Sequence, residues 1–443
     1  MNIRPKDRDA LIQALRAGVV PNIGQHLIQV GRASEIESLL KDLERVAVGG
    51  TAFRLIIGEY GSGKTFFLNL IRSIGLEKKL VATSADLNPD RRLHGSGGQA
   101  RSLYAELAKN LSTKSKPEGG ALAGIVEKFI YTAEGEARTK SIGVDVVIHE
   151  KLERLSEMVN GYDFAHVIET YWKASRDNNQ DLKANAIRWL RGEYTTKTDA
   201  RNALGVRTFV DDASFYDQLK LMSLFIRLSG FTGLLVCLDE MVNLYKLSSR
   251  QARESNYEQI LRMLNDTLQG NVEGLGFLLG GTPEFLNDTR RGLFSYSALQ
   301  SRLAENMFAK SAGVIDFNHP VLKLSSLTPE DFFVLLGKIQ TVYVYGDGAR
   351  NLIPEDGQKA FMNHCYQRIG EAYFRTPRTT ITSWVNLLSV LEQNPSLDWQ
   401  QLTGQIEVKK DMGGSADLDV EDVDPGMLGT AGTADDEFTS FKL

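Results

Sequence analysis

The stretch that decides the fold is "LIIGEYGSGKTFFLNLI", residues 55–71. Its first residues form a short apolar run typical of a buried strand, and its last residues repeat apolar side chains at helical spacing. Between the two runs lies a glycine-rich turn that ends in Lys64 and Thr65. A strand, a glycine-rich turn and a helix in this order indicate a loop whose backbone N–H groups surround an anion at the positive end of the helix.

The turn matches the pattern GxxxxGK[ST] from its first glycine to its threonine. In that pattern the lysine, here Lys64, reaches the β and γ phosphates of a nucleotide, and the hydroxyl of Thr65 ligates Mg²⁺. A glycine-rich turn with a chance Lys-Thr pair is the alternative, and the agreement of motif and context disfavours it. We therefore expect the nucleotide to contact Gly58, Glu59, Tyr60, Gly61, Ser62, Gly63, Lys64, Thr65 and Phe66.

A second apolar run, "GLLVCLDE" at residues 233–240, ends in two acids. Asp239 is placed to hold the Mg²⁺ shell, and Glu240 to polarise the attacking water as general base. The alternative is a strand end with solvated carboxylates. The next run ends at Thr282, which could orient the water near the γ-phosphate, cap the helix that begins at Pro283, or do both.

Arginines follow in "NDTRRGLFSYSALQSRLAEN", residues 287–306. Hydrolysis at a subunit interface often uses a guanidinium of the neighbouring subunit to neutralise charge in the transition state. Arg302 is the first candidate for that role, and Arg290 and Arg291 are the others; surface solvation is the alternative for each. Further on, "FRTPRTTIT" (374–382) places Arg375 and Arg378 before a helix, from which one could reach the nucleotide or serve only the fold.

The order of the segments indicates an α/β protein with a parallel sheet. Further strands are predicted at "FRLIIG" (53–58), "KLVATSA" (79–85), "GLGFLLGGT" (274–282) and "VLKLSSL" (321–327). Ser34 is the predicted N-cap of a helix ahead of the glycine-rich strand, and Thr328 of a helix that begins at Pro329. The predicted fold is a P-loop NTPase sheet with a large helical insertion and a C-terminal helical lid domain.

The predicted domains follow from this order. They are an N-terminal helical segment (1–29), a nucleotide-binding α/β domain (30–327) with the insertion at about 100–228, a helical lid domain (328–400) and a disordered acidic tail (411–443). The tail carries nine acidic residues against one basic residue, so the rest of the chain is mildly basic although the net charge is −5. A segment of this composition buries too little apolar area to offset the entropy of ordering it.

Composition excludes several other classes of protein. No window approaches the roughly 18 consecutive apolar residues of a membrane span, and residues 1–30 lack the apolar block of a secretory signal. The two cysteines, Cys237 and Cys365, form neither a disulfide framework nor the spacing of a zinc site. We therefore expect a soluble, cytoplasmic protein of two or three units.

With these elements in order, the chain resembles the AAA+ ATPases, nearest to the branch of origin-recognition initiators and related signalling NTPases. "VGRASEIESLLKDL" (30–43) looks like the segment that cradles adenine in that branch, which implies a nucleotide contact for Arg32. "GEYGSGKT" resembles its Walker A motif, "LLVCLDE" its Walker B motif, and "GGTPEF" its sensor 1 region. "LQSRL" lies where its arginine finger falls, and "FRTPRTTIT", with Arg378, is similar to sensor 2. The resemblance implies ATP and Mg²⁺ as cofactors and a homo-oligomer.

A narrower resemblance is to the BREX-type phage-defence ATP-binding proteins of the BrxD kind. It rests on "GEYGSGKTFF" (58–67), on "AIRWLRGEY" (186–194) and on "LDEM" (238–241). It implies a Mg²⁺-dependent ATPase that acts on or near DNA with a helicase-like protein partner. The alternatives are an ATP-switched signalling scaffold with slow turnover and a non-hydrolysing regulatory subunit; intact Asp239 and Glu240 argue against the second.

Overall fold

The sheet is the centre of the fold. A computed structural model describes residues 3–369 and 377–404, and its strands within these ranges form one five-stranded parallel sheet in the order β2-β3-β4-β1-β5. This is the predicted α/β architecture, consistent with a P-loop NTPase. Parallel strands end at the same edge, so the turns after β1, β3 and β4 meet there. The strands are β1 Thr51–Ile57, β2 Val81–Asp86, β3 Leu234–Asp239, β4 Leu275–Gly281 and β5 Val321–Lys323.

Helices make up most of the remaining described chain. Seven of them lie between β2 and β3 and form the helical insertion; the five after β5 lie in the region of the predicted lid domain and are called the lid helices below. In chain order they are α1 Pro5–Arg16, α2 Gln25–Ile28, α3 Ala33–Ala47, α4 Lys64–Glu77, α5 Gln99–Lys109, α6 Leu122–Lys140, α7 Val144–Ser156, α8 Gly161–Arg176, α9 Gln180–Leu190, α10 Lys197–Leu204, α11 Phe215–Leu228, α12 Val242–Tyr245, α13 Arg250–Gln269, α14 Pro283–Asn287, 3₁₀ Leu293–Ser295, α15 Ser297–Leu303, α16 Met307–Ala312, α17 Pro329–Tyr343, 3₁₀ Gly348–Arg350, α18 Glu355–Ile369, α19 Pro377–Gln393 and α20 Trp399–Thr403.

Successive residues of β1 enter two different apolar cores, as expected for a parallel sheet covered on both faces. Leu55 belongs to the larger core, together with Leu103 of α5 and Phe225 of α11 from the helical insertion. Ile56 belongs to a second core with Phe67 of α4. The sheet is therefore buried on both faces, and the insertion covers one of them.

The N-terminal helices pack with the lid helices rather than with the sheet. Leu11 and Ile12 of α1 share a third core with Phe332 of α17 and Trp384 of α19. The Nε1–H of Trp384 donates to the carbonyl of Leu336 at 3.1 Å, which satisfies the indole inside this core. The predicted N-terminal segment and the predicted lid domain thus contribute to one apolar cluster.

The start of α3 differs from the prediction. Helix α3 begins at Ala33, so Ser34 lies within its first turn and does not cap it. Arg32 occupies the cap position in the left-handed region (φ 60°), directly after Gly31, which has the same φ. The backbone of these two residues starts the helix earlier than a cap at Ser34 would. The Arg32 side chain does not cap the helix and can contact other parts of the chain.

The predicted cap of α17 is present and reciprocal. The N–H of Asp331 donates to Thr328 Oγ1 at 3.1 Å, and the N–H of Thr328 donates to Asp331 Oδ2 at 3.2 Å. We expect Thr328→Ala to destabilise this helix by about 1 kcal/mol, because one orphan N–H at its start loses its acceptor. Hydrogen exchange of the α17 amides measures the effect, with Ser326→Ala as the control; equal protection in both variants would contradict it.

Two further expectations concern membranes and the C-terminal region. Among the described residues, no helix has both the length and the apolar character that crossing a bilayer requires. The predicted acidic tail (411–443) and Arg375 lie outside the described residues.

Candidate nucleotide-binding site

The glycine-rich turn is a tight loop between β1 and α4. Gly61 and Gly63 have φ values of 79° and 81°, in the left-handed region that glycine adopts without strain. The φ of Gly58 lies outside the left-handed region, but a Cβ there would lie 2.5 Å from Ser62 Oγ and 3.1 Å from the carbonyl oxygen of Leu324. A side chain at position 58 would therefore clash within the loop, and one at position 61 or 63 would strain the backbone.

The loop contains an orphaned polar atom. Ser62 is buried, and among the described residues its hydroxyl oxygen has no hydrogen-bond partner. A buried hydroxyl without a partner costs on the order of 1–3 kcal/mol. A phosphate oxygen within the loop would provide that partner, so the residues present fit a bound nucleotide.

Lys64, the first residue of α4, folds back onto this loop (residues 58–65), which we call the phosphate loop. Its Nζ donates to the carbonyl oxygens of Gly58 at 2.8 Å and of Glu59 at 2.9 Å. Burial lowers the pKa of Lys64, and the nearby carboxylates of Asp239 and Glu240 oppose that shift. The ammonium group therefore lies over the phosphate loop, held by neutral carbonyls that it can exchange for phosphate oxygens.

One short hydrogen bond joins the phosphate loop to strand β3, which ends in Asp239 and is called the acid strand below. Thr65 Oγ1 donates to Asp239 Oδ2 at 2.5 Å, and the other carboxylate oxygen accepts from the N–H of Glu240 at 2.8 Å. Gly280 on the neighbouring strand β4 leaves room for this carboxylate, because a Cβ there would overlap Asp239 Oδ1. A hydroxyl and a carboxylate in contact are a suitable ligand pair for Mg²⁺.

Glu240 follows β3 directly in a conformation that is uncommon for a residue with a side chain. Its φ is 57°, in the left-handed region, and such positions concentrate at functional sites. Partial burial raises the pKa of its carboxyl group, and the charges of Asp239 and Asp86 raise it further. Within the described residues its carboxylate accepts no hydrogen bond, so it is available to a water molecule.

Asp86 is a third carboxylate of this edge that the sequence prediction missed. It is the last residue of β2 and lies opposite Asp239 in the register of the two strands. Burial raises the pKa of Asp86, and the charge of Asp239 adds to that rise. The sequence feature that could have identified Asp86 is an acidic residue directly after the apolar run "KLVATSA". Three carboxylates at one edge of the sheet would repel a triphosphate, so a divalent cation fits the charge of the site.

Thr282 lies at the end of β4, between the strands that carry the phosphate loop and the acid pair. Its hydroxyl accepts from the N–H of Phe285 at 3.4 Å and so caps α14. This is one of the two roles open to it from the sequence. Orientation of a water molecule, the other role, is compatible with its central position and stays a prediction.

Arg32 joins the phosphate loop to the segment after β5. Its Nη2 donates to the carbonyl oxygen of Ser62 and, at 3.3 Å, to that of Ser325. The guanidinium also lies 5.8 Å from the ring centroid of Phe67, and burial lowers the pKa of Arg32. Phe66 packs against the core of the N-terminal and lid helices. Both side chains therefore connect the loop to its surroundings; their predicted contacts with the nucleotide stay predictions.

The candidate arginines have different environments. Arg291 Nη2 donates to the carbonyls of Tyr245 (3.4 Å) and Leu247 (3.2 Å) in its own chain, and Arg290 is exposed. Arg302 is exposed on α15, where Nε donates to Asn265 Oδ1 at 2.9 Å.

Arg378 lies within the first turn of α19 rather than before the helix. The position that a Gly18 Cβ would take is 3.4 Å from Arg378 Cγ, so this side chain runs beside the segment after α1. Among the described residues, neither Arg302 nor Arg378 forms a hydrogen bond with the phosphate loop. A direct role in the site for either residue stays a prediction.

Comparison with known proteins gives one match that covers nearly the whole chain. Residues 3–407 match the family described as "BREX system ATP-binding protein BrxC/D". The matched range begins before α1 and ends beyond α20, so it includes the phosphate loop, the acid strand, the helical insertion and the lid helices. A search of curated proteins finds no match.

Proposed function

Because the chain belongs to the BrxC/BrxD family of BREX system ATP-binding proteins, we propose that it hydrolyses the ATP that it binds, with Mg²⁺, at the carboxyl edge of the sheet. The observation that carries this proposal is the 2.5 Å hydrogen bond between Thr65 and Asp239. It brings the start of the phosphate-loop helix together with the strand that ends in Glu240. A site that only binds nucleotide does not require a carboxylate beside the reacting phosphate.

The roles of the side chains follow from their positions. Lys64 exchanges its carbonyl contacts for oxygens of the β and γ phosphates, and the loop N–H groups surround the same phosphates. Glu240 takes the proton of the attacking water, for which its unengaged carboxylate and raised pKa are suited. Thr282 orients that water from the neighbouring strand.

Thr65 and Asp239 are the residues that would hold Mg²⁺, and Asp86 lies close enough to Asp239 to act on it electrostatically. When bound, the ion neutralises charge on the phosphates. Gly280 keeps the Asp239 carboxylate in place because a side chain at position 280 would displace it. Replacing Gly280 should therefore impair the site, although Gly280 is not itself one of the residues that would hold Mg²⁺.

We further propose that the protein works as a homo-oligomer whose neighbour completes the site with Arg302. An exposed apolar segment follows the helix of this arginine: Phe308 is 88% exposed, and Met307, Val314 and Ile315 are also exposed. A cluster of this kind on a protein surface usually marks a contact with another protein. A second copy of the chain would cover it while Arg302 enters the neighbouring nucleotide site.

This arrangement predicts complementation between two inactive variants. Arg302→Ala should bind ATP but lose hydrolysis, because the guanidinium acts mainly on charge that develops in the transition state. Mixing it with Lys64→Ala should restore part of the activity, since some mixed interfaces pair an intact phosphate loop with an intact arginine. Phosphate release by the mixture is the measurement. No recovery in proven mixed assemblies would mean that Arg302 acts within its own chain or only supports the fold.

In phage defence we propose that the protein acts in the cytoplasm, on or near DNA, together with a helicase-like protein partner. The alternative is an ATP-switched scaffold that turns over slowly and does not remodel DNA. The ATPase rate with and without single- and double-stranded DNA, measured beside the mass in solution with ATP bound, separates the two. Stimulation by DNA supports the first; a slow rate that DNA leaves unchanged supports the second.

A further inference from the structure

Five cationic side chains gather around the turn between α12 and α13, next to the edge of the sheet that carries the site. The turn follows Glu240 by a few residues along the chain. Four of the five side chains are exposed, and the fifth, Arg253, is buried. We call this cluster the basic rim; it consists of Lys246, Arg250, Arg253, Arg290 and Arg291.

Two guanidinium groups of the basic rim share one acceptor. Arg253 Nη1 donates to the carbonyl oxygen of Leu247 at 2.5 Å, and Arg291 Nη2 donates to the same oxygen at 3.2 Å. Burial lowers the pKa of Arg253, and the neighbouring charges of Arg291 and Arg250 contribute to that shift. Like charges held this close are unfavourable unless an anion lies near them.

The carboxylates beside the basic rim already have partners. Glu254 pairs with Arg250 at 2.8 Å on the same helix. Asp288 accepts from the hydroxyl of Tyr245 at 2.9 Å and from the backbone N–H of residue 290. In the described part of the chain, the other exposed cations of the rim form no ion pair. The rim therefore has cationic groups available to a partner from outside the chain.

The loops around the basic rim are tied together by side-chain amides. Asn243 Nδ2 donates to the carbonyl of Leu87, in the loop after β2, at 2.7 Å. Asn256 of α13 accepts from the N–H of His94 at 2.9 Å and donates to its carbonyl at 3.2 Å. The segments that follow β2 and β3 thus form one hydrogen-bonded unit. A ligand on the rim would act on this whole unit.

The same unit is coupled to the nucleotide site. The N–H of Asn243 donates to the carbonyl of Glu240 at 2.9 Å, which links the first turn of α12 to that residue. A ligand that shifts this turn would therefore act on the backbone that positions the proposed general base.

We propose that the basic rim binds the phosphate backbone of a nucleic acid and couples that contact to ATP turnover, an inference that rests on the proposed function. The four exposed cations stand just after α12, at the start of α13 and in the loop after α14, so the rim offers several cationic groups to a chain of phosphates. Four of the five rim residues are arginines, whose planar groups suit phosphate oxygens. Backbone contacts of this kind carry no sequence preference.

The test compares two double variants of the full chain. Lys246→Gln with Arg250→Gln removes two exposed charges of the basic rim. Lys197→Gln with Arg201→Gln removes two exposed charges from α10 of the helical insertion and is the matched control. Anisotropy of a labelled single strand and of a labelled duplex is measured over a range of salt concentrations, and ATPase rates are measured with and without each DNA.

We expect the rim variant to bind DNA about tenfold or more weakly than the parent, and the salt dependence of its affinity to fall by about one to two units of slope. Addition of either DNA should no longer stimulate its ATPase rate. The control variant should bind and respond as the parent does. If the control variant binds DNA and hydrolyses ATP as the parent does, a general effect of lost positive charge is excluded.

Three results would overturn the inference. These are parental affinity and salt slope in the rim variant, an equal loss of affinity in the control, or binding by the parent of labelled polyglutamate, added as a second anionic probe, but of neither DNA. In each case, Mg²⁺-dependent hydrolysis of ATP by the parent protein would leave the proposed function standing. Conversely, DNA binding that depends on the rim, in a protein that hydrolyses no ATP, would retain the surface and reject the ATPase.

Discussion

Glu240→Gln is expected to bind ATP as tightly as the parent and to hydrolyse it about a hundredfold or more slowly. The amide keeps the size of the side chain but cannot take a proton from the attacking water. Binding is retained because the phosphates contact the loop and Lys64, neither of which the substitution alters. Calorimetric titration with ATP and phosphate release at saturating ATP measure the two quantities separately.

The control for this variant is Glu284→Gln. Glu284 is exposed in the first turn of α14 and acts electrostatically on Lys64, so its loss removes a negative charge from the same region. Its turnover should stay near that of the parent. Parental hydrolysis by Glu240→Gln would place the general base elsewhere, and equal losses in both variants would indicate an effect of charge rather than of proton transfer.

Lys64→Ala is expected to lose tight binding of ATP. Hydrogen bonds to charged groups contribute about 1.5–3 kcal/mol each, so losing the contacts to two phosphates weakens binding by on the order of a hundredfold or more. The substitution also removes the cation that acts on the carboxylates of Asp239 and Glu240. Calorimetry with ATP and Mg²⁺ gives the affinity directly.

Lys78→Ala is a suitable control for this second variant. Lys78 follows the last turn of the same helix and pairs with Glu44 at 2.8 Å, at the end remote from the phosphate loop. Its removal should leave ATP affinity unchanged. Unchanged affinity in Lys64→Ala, with a parental melting temperature, would contradict the assignment of the phosphate loop.

The sequence predicted well those features that depend on residues close together in the chain. The strands at 53–58 and 233–240 are apolar runs of strand length, and the capping pair of Thr328 and Asp331 lies within four residues. The position of Thr282 between two strands follows once a parallel sheet is assumed, because parallel strands end at one edge. Local patterns therefore predicted the fold class and the elements that carry the candidate site.

Features that depend on distant contacts could not be predicted in the same way. Asp86 lies at the site because β2 pairs with β3, although residues 87–233, which include the helical insertion, separate them in the chain. Arg32 reaches Ser62 because its own backbone is left-handed, a conformation that no local pattern indicates. The packing of α1 against α19 joins opposite ends of the chain. In each case the deciding energy comes from tertiary contacts.

The central claim is that the carboxyl edge of the sheet hydrolyses ATP with a divalent cation. Phosphate release from ATP by the full chain, with Mg²⁺ and with the metal chelated, tests it most directly, with Lys64→Ala as the background. We expect release that requires Mg²⁺ and falls to background in that variant. Release that survives chelation or the loss of Lys64, or tight ATP binding with no release above background, would contradict the claim.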